Sequence, residues 1–291
     1  MILVAGGTGD LGRRITDRLV AQGEEVRLLA RPKPGEQDDL PGTAEQVIGD
    51  LKDPESLVAA CAGVDIVVTT ANATARSAPD TVDSVDLRGN LNLIEAAEAA
   101  GVDRFLFVSA LGAHPDHPMP LLRAKAISEQ RLRASGMVWT VLQSNVFMDK
   151  LIPLVVGEPA LSHRPVTLVG TGRRRHSFVA MDDVAAYALA ALHHPDARRQ
   201  TIVVAGPEPL SWYDIVTAFE NELGRRLPVR LVTADDPSHQ LPSFAIDVLA
   251  ALDTYDSPIN MAETISTFGV EATHLGTFIR DLASTGLLAK R

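Results

Sequence analysis

The run Gly6-Gly7-Thr8-Gly9-Asp10-Leu11-Gly12 follows the apolar stretch Ile2-Leu3-Val4-Ala5 and opens a helical pattern. It satisfies two spacings at once, Gly7-x-Gly9-x-x-Gly12 and Gly6-x-x-Gly9-x-x-Gly12. Glycine serves three ends in such a loop: a tight turn, close approach of backbone N–H groups to a pyrophosphate, and close packing of helix on strand. The helix N-terminus adds a partial positive charge where phosphates would sit. Gly6, Thr8, Gly9, Asp10, Leu11 and Gly12 are therefore expected to bind a dinucleotide.

The pattern around the loop predicts its fold. Strands are expected at 2–5, 26–30, 45–48, 65–69, 104–108 and 138–142, and helices at 10–22, 54–61, 84–100 and 121–134. Several of the apolar runs are continuous, as in a parallel sheet buried on both faces. Gly23, Gly63, Gly101 and Gly136 close the helical stretches, a position that suits the left-handed backbone of a helix stop. A doubly wound α/β sheet is expected over residues 1–148. Beyond it, 149–291 reads as a smaller, mainly helical substrate lobe, with a segment near 178–205 returning to the core.

Cofactor choice is read at the end of the second strand. An NAD enzyme commonly places an acid there, about 20 residues past the loop, to accept from the ribose 2′-OH. Here Val26-Arg27-Leu28-Leu29-Ala30 ends at Arg31, with Lys33 following and no carboxylate between Val26 and Lys33. A guanidinium binds a 2′-phosphate in bidentate fashion, so Arg31 and Lys33 predict NADP(H). In Gly49-Asp50-Leu51, Asp50 either accepts from the adenine amino group or caps the next helix.

Composition narrows the partners. A net charge of −10 and 4% aromatic residues oppose nucleic-acid binding. Cys61 is the one cysteine, so no intramolecular disulfide forms, which fits a reducing, cytoplasmic setting. The N-terminal apolar run is too short and too quickly followed by glycine to read as a signal peptide, and no membrane span is expected. Nothing in the sequence speaks to oligomeric state. His114 and His117 are interrupted by Pro115 and lack a third ligand, so no metal site is expected. Arg173-Arg174-Arg175 sits in a glycine-containing loop and reads as a mobile basic segment.

The glycine loop, Arg31, Gly49-Asp50-Leu51, Val108-Ser109-Ala110 and Arg123-Ala124-Lys125-Ala126 together resemble the NmrA-like group of atypical short-chain dehydrogenase/reductases. That group includes quinone reductases, isoflavone-reductase-like enzymes and NADP-sensing regulators. The resemblance implies a Rossmann core, NADPH use and a small aromatic or conjugated carbonyl substrate. Ser109 and Lys125 match the serine and lysine of the short-chain reductase site, but Leu121 stands where the tyrosine would be. That tyrosine gives its proton to a developing alkoxide, which leucine cannot do. Lys125 is expected to hold the nicotinamide ribose and stabilise a delocalised oxyanion, or else to be a solvated helix lysine. Ser109 either bonds substrate or nicotinamide or caps a turn. Thr70, Ala71 and Asn72 follow the fourth strand, and Gln143 and Asn145 the sixth, in positions that favour cofactor contact. Phe147 and Met148 face substrate or belong to the core of the next helix. The function expected is reduction of a quinone, enone or other conjugated carbonyl; the alternative is an NADP(H)-binding regulator without turnover.

Overall fold

The computed structural model describes residues 1–31, 44–73, 78–236 and 240–284. Lys33 lies outside the described residues. In chain order the first elements are β1 (Ile2–Ala5), α1 (Asp10–Ala21), β2 (Val26–Ala30), β3 (Glu45–Ile48), α2 (Pro54–Cys61) and β4 (Ile66–Thr69). A widened helical segment, Val82–Gly89, then runs into α3 (Asn90–Ala99), followed by β5 (Arg104–Ala110), α4 (Pro120–Arg133) and β6 (Val138–Ser144). Next come α5 (Met148–Ile152), α6 (Glu158–Leu161), β7 (Val166–Val169), α7 (Met181–His193) and β8 (Gln200–Val204). The chain continues with α8 (Trp212–Leu223), β9 (Val229–Val232), α9 (Ser243–Leu252), α10 (Ala262–Phe268) and α11 (Leu275–Ser284).

These elements fall into two compact units. The first holds Met1–Ser144, Val184–Val204 and Ser266–Val270. Among the described residues its sheet has seven strands in the order β3-β2-β1-β4-β5-β6-β8. Every neighbouring pair is parallel. This is the doubly wound sheet that the apolar runs predicted. All four residues of β1 are buried, as is the run Phe105–Ser109 of β5, so continuous hydrophobicity marks burial on both faces. The core joins Leu3, Leu57, Leu93, Phe105, Phe107 and Val141. Strand order reverses between β1 and β4, and open α/β sheets bind ligands outside the strand ends at such a point.

The second unit holds Asn145–Asp183, Ala205–Ile265 and the segment from Glu271 onward. Its core gathers Met148, Ile152, Phe178, Ile215, Phe219 and Leu249. Here β7 pairs in parallel with β9. The β9 strand was not expected, because Val229-Arg230-Leu231-Val232 is too short and too exposed to leave a periodic mark.

The helix expected at 84–100 is divided in two. The Asn90 side-chain amide donates to the Val85 and Asp86 carbonyls, both 3.1 Å away, and takes up acceptors that a regular helix would use internally. Glycine at 89 lets this segment pack closely on Leu51, since a Cβ there would stand 2.9 Å from Leu51 Cβ.

Candidate cofactor site

The glycine loop turns β1 into α1 beside the end of β4. Gly6 has φ +83°, and an added Cβ would stand 2.8 Å from Thr70 Oγ1 and 2.9 Å from the Ala71 amide nitrogen. At Gly12 a Cβ would be 2.1 Å from the Gly6 carbonyl oxygen. These two glycines let strand, loop and helix touch. Gly9 differs: among the described residues a Cβ there would meet only the Gly6 oxygen, at 3.3 Å, with open space beyond. Gly9 is also the N-cap of α1 and brings no side-chain cap to the helix. First-turn N–H groups without a capping side chain, beneath a glycine that leaves its surroundings empty, fit a pyrophosphate. Thr8 and Asp10 are exposed at this turn and Leu11 is buried under it.

Thr70, Ala71 and Asn72 lie where expected, at the end of β4. The Thr70 N–H donates to the Ala5 carbonyl at 2.9 Å, and Asn72 Nδ2 donates to the Thr70 carbonyl at 3.1 Å. Asp50 accepts the Lys52 N–H at 2.9 Å and pairs with its ammonium at 3.3 Å. The true N-cap of α2 is Asp53, which accepts from the Glu55 N–H, so Asp50 is not that cap. Leu51 is buried against Gly89.

Arg31 stands at the end of β2 with 42% of its side chain exposed. Its Nη1 is 2.5 Å from Asp80 Oδ2, and the other oxygen of Asp80 takes the Lys52 ammonium. That contact holds the Lys52 pKa above its usual value. Lys52 also lines a cavity of about 400 Å³ with Ser84, Arg88 and Asn92.

On the other side of the reversal, Ser109 and Gln143 are opposite each other on β5 and β6. Both side chains turn toward α4. Ser109 Oγ donates to Glu129 Oε1 at 2.5 Å, and Gln143 Nε2 donates to the same oxygen at 2.9 Å. Arg133 binds Glu129 Oε2 at 2.7 Å. Lys125 is buried, 6% exposed, with its ammonium on the Val108 carbonyl at 3.1 Å, 4.8 Å from the centre of the Phe107 ring and 3.8 Å from Asp86. Burial pushes its pKa down, against the opposing pull of Asp86 and Glu129. Lys125 is thus no solvated helix lysine. Asp86 accepts the Ala73 N–H at 2.9 Å, which links the lysine to the segment after β4.

The NAD(P)H-binding family matches residues 6–195 of this chain. The chain belongs to the NAD(P)H-binding family. It is 32% identical to the NAD(P)H azoreductase of Xenophilus azovorans over 80% of this chain and 76% of that protein. It is 30% identical to the photosystem II assembly factor Ycf39 of Cyanophora paradoxa over 79% of this chain and 71% of the relative. Among solved structures, the NADPH complex of the Escherichia coli quinone oxidoreductase QOR2 shares the fold, with TM-score 0.82 and 20% identity across 97% of this chain and all of that one. The expected kinship with NmrA-like atypical short-chain reductases holds.

Within the NAD(P)H-binding chain, the last expected site residues fall in the second unit. Asn145 Nδ2 bonds Ser257 Oγ and the Ser257 carbonyl, both at 3.3 Å. Phe147 is half-buried, while Met148 is fully buried in that unit's core. The arginine loop is fastened: Asp253 accepts from the Thr171 and Gly172 N–H groups at 2.8 and 3.0 Å, and Asp256 accepts from the Arg175 N–H at 2.7 Å. His114 and His117 each accept from a nearby backbone N–H, of Asp116 and Met119. No trio of metal-ligating side chains gathers among the described residues. Glu129, one turn past Lys125, was legible as a partner for that lysine or as a surface ion pair; it is instead buried and takes Ser109, Gln143 and Arg133. Lys52, Asp80, Asp86 and Asn90 were missed, because long-range folding brings them in.

Proposed function

We propose that this chain is an NADPH-dependent reductase acting on a quinone, an enone or another conjugated electron acceptor. The observation that carries the reading is the space that the described residues leave open above Gly9, at an N-terminus of α1 whose N-cap brings no side-chain hydrogen bond. Backbone N–H groups there receive the pyrophosphate, and Gly9 keeps clear the volume that any side chain would fill. Arg31 and Lys52 face the adenosine ribose, where their charges favour a 2′-phosphate. Thr70, Ala71 and Asn72 line the approach at the end of β4, and Asp50 and Leu51 border the adenine. When bound, the dinucleotide supplies a hydride. Leu121 offers no phenolic proton on α4, so the acceptor must spread the negative charge that hydride addition leaves, as quinones and enones do. The azoreductase relative, named for another conjugated acceptor, supports the same class. Ser109, Gln143 and Lys125 serve as positioning residues: with Glu129 they hold α4 against β5 and β6 and set a buried ammonium behind the end of β5. Asn145 and Phe147 are proposed, from their places directly after β6, as contacts for nicotinamide and substrate.

The test is NADPH oxidation against a panel of quinones, enones, azo dyes, simple ketones and secondary alcohols. The expected outcome is turnover with the conjugated acceptors and little with the others. The likeness to an assembly factor favours a second reading, an NADP(H)-binding regulator. Tight NADPH binding without oxidation by any acceptor on the panel would select it.

A further inference from the structure

The carboxylate of Asp80 lies 49 positions beyond Arg31 in sequence, yet it joins Arg31 to a second cation, Lys52. It is 8% exposed, with Oδ2 on Arg31 and Oδ1 on Lys52. Its position is fixed by the turn that follows it. Thr81 and Ser84 cap each other reciprocally, and Ser84 Oγ donates to the Pro79 carbonyl at 3.0 Å. Lys52 is also 3.3 Å from Asp50. Among the described residues, Arg31 and Lys52 thus already meet carboxylates, Asp80 on both and Asp50 on Lys52.

A site tuned only for a 2′-phosphate would leave its cations unneutralised for the incoming dianion. Here a carboxylate already sits between them. An arriving phosphate must share the two cations with Asp80 and meets its repulsion at short range, where screening by salt is weak. A ribose 2′-hydroxyl, by contrast, is a donor that a carboxylate oxygen accepts. Acids perform that service in NAD-selective sheets from the end of the second strand. In this chain the acid comes from the segment after β4 instead.

We propose that Asp80 sets the cofactor choice of this chain: it acts as a built-in counter-anion between Arg31 and Lys52, so that NAD(H) is accepted alongside NADP(H) and the preference for the phosphorylated form is moderate. The proposal rests on the reading that places the adenosine ribose beside Arg31.

Calorimetric titration of the whole protein tests both. The ligands are NADPH, NADH, adenosine 2′,5′-bisphosphate and 5′-AMP, and the proteins are wild type, Asp80→Asn, Asp80→Ala and Arg31→Ala. Asp80→Asn should tighten NADPH and the bisphosphate by about tenfold. It should weaken NADH and leave 5′-AMP within about twofold, with Asp80→Ala moving in the same directions. If Arg31→Ala lowers the NADPH-to-NADH ratio but the Asp80 variants leave it unchanged or lower it too, the proposal is overturned while the Arg31 reading stands. If Arg31→Ala leaves the ratio unchanged, the placement of the ribose fails and Asp80 falls with it. Wild type alone gives a further check that needs no variant to fold: a preference for NADPH over NADH beyond about 10³-fold overturns the moderating role.

Discussion

Glu129 is a carboxylate that a sequence reader would place on the surface of α4, yet it is buried and holds three elements together. Ser109 from β5, Gln143 from β6 and Arg133 from its own helix all donate to it. Removing its charge leaves a buried hydroxyl and an amide with a weaker acceptor, and hydrogen bonds to charged groups contribute about 1.5–3 kcal/mol each. Arg133 is partly exposed, and its share is screened by solvent. Glu129→Gln is therefore expected to lower stability by about 2 kcal/mol in chemical denaturation. A loss below the scatter of the measurement would show that the network only fills space. Lys125 is a second case. Its ammonium reaches a backbone carbonyl of β5 and sits against Asp86, so the role proposed for it is one of positioning through the end of the strand. Lys125→Met should lower turnover on a quinone by about 10- to 100-fold through kcat, with KM nearly constant and a changed pH profile. Equal losses in thermal stability and turnover, with an unaltered pH profile, would assign Lys125 to packing alone.

At the scale of elements, the β1–α1 junction separates two uses of glycine. Gly12 lies where strand and helix touch, and any side chain there strikes the Gly6 backbone. Among the described residues, Gly9 faces open space. Gly12→Ala is expected to destabilise the fold by about 1–3 kcal/mol, the range typical of overpacking, as read by the urea midpoint. Gly9→Val should give a folded protein of near wild-type midpoint that binds neither NADPH nor NADH. A folded Gly9→Val protein with normal cofactor affinity would remove the pyrophosphate from this junction. The divided helix after β4 is the second instructive element. Asn90 takes the Val85 and Asp86 carbonyls into its side-chain amide, and Asp86 stands against the Lys125 ammonium. A residue pattern on one helix says nothing of such a contact, because the partner lies 39 positions away.

For the molecule as a whole, the most informative titration belongs to His176. Its ring is buried in the second unit, with Nδ1 2.8 Å from Ser257 Oγ and Nε2 3.0 Å from the Leu252 carbonyl. Burial pushes its pKa below the ordinary 6.5. The unfolded chain therefore takes up a proton below pH 6.5 that the folded chain refuses. Stability is full above that pH and falls as pH drops through the window beneath it. Asp183 works with the opposite sign, since burial raises its pKa from 3.8, so the measurement belongs on the higher side of the acid range. Urea midpoints at about pH 7.5 and about pH 5.5 should differ clearly for wild type and much less for His176→Gln. Equal slopes in the two proteins would discard His176 as the source. The sequence by itself determined the sheet: strand–glycine–helix order and continuous apolar runs are local properties, and burial on both faces follows from them. It likewise determined the glycine turn between β1 and α1, because glycine spacing and helix start sit within seven consecutive residues. Only the tertiary structure decided the partners of the buried charges. Asp80 meets Arg31 and Lys52, and Asp86 meets Lys125, through the return of the chain across the sheet. A charge taken out of water must find its counter-charge wherever the fold brings one, and separation along the chain does not enter that requirement.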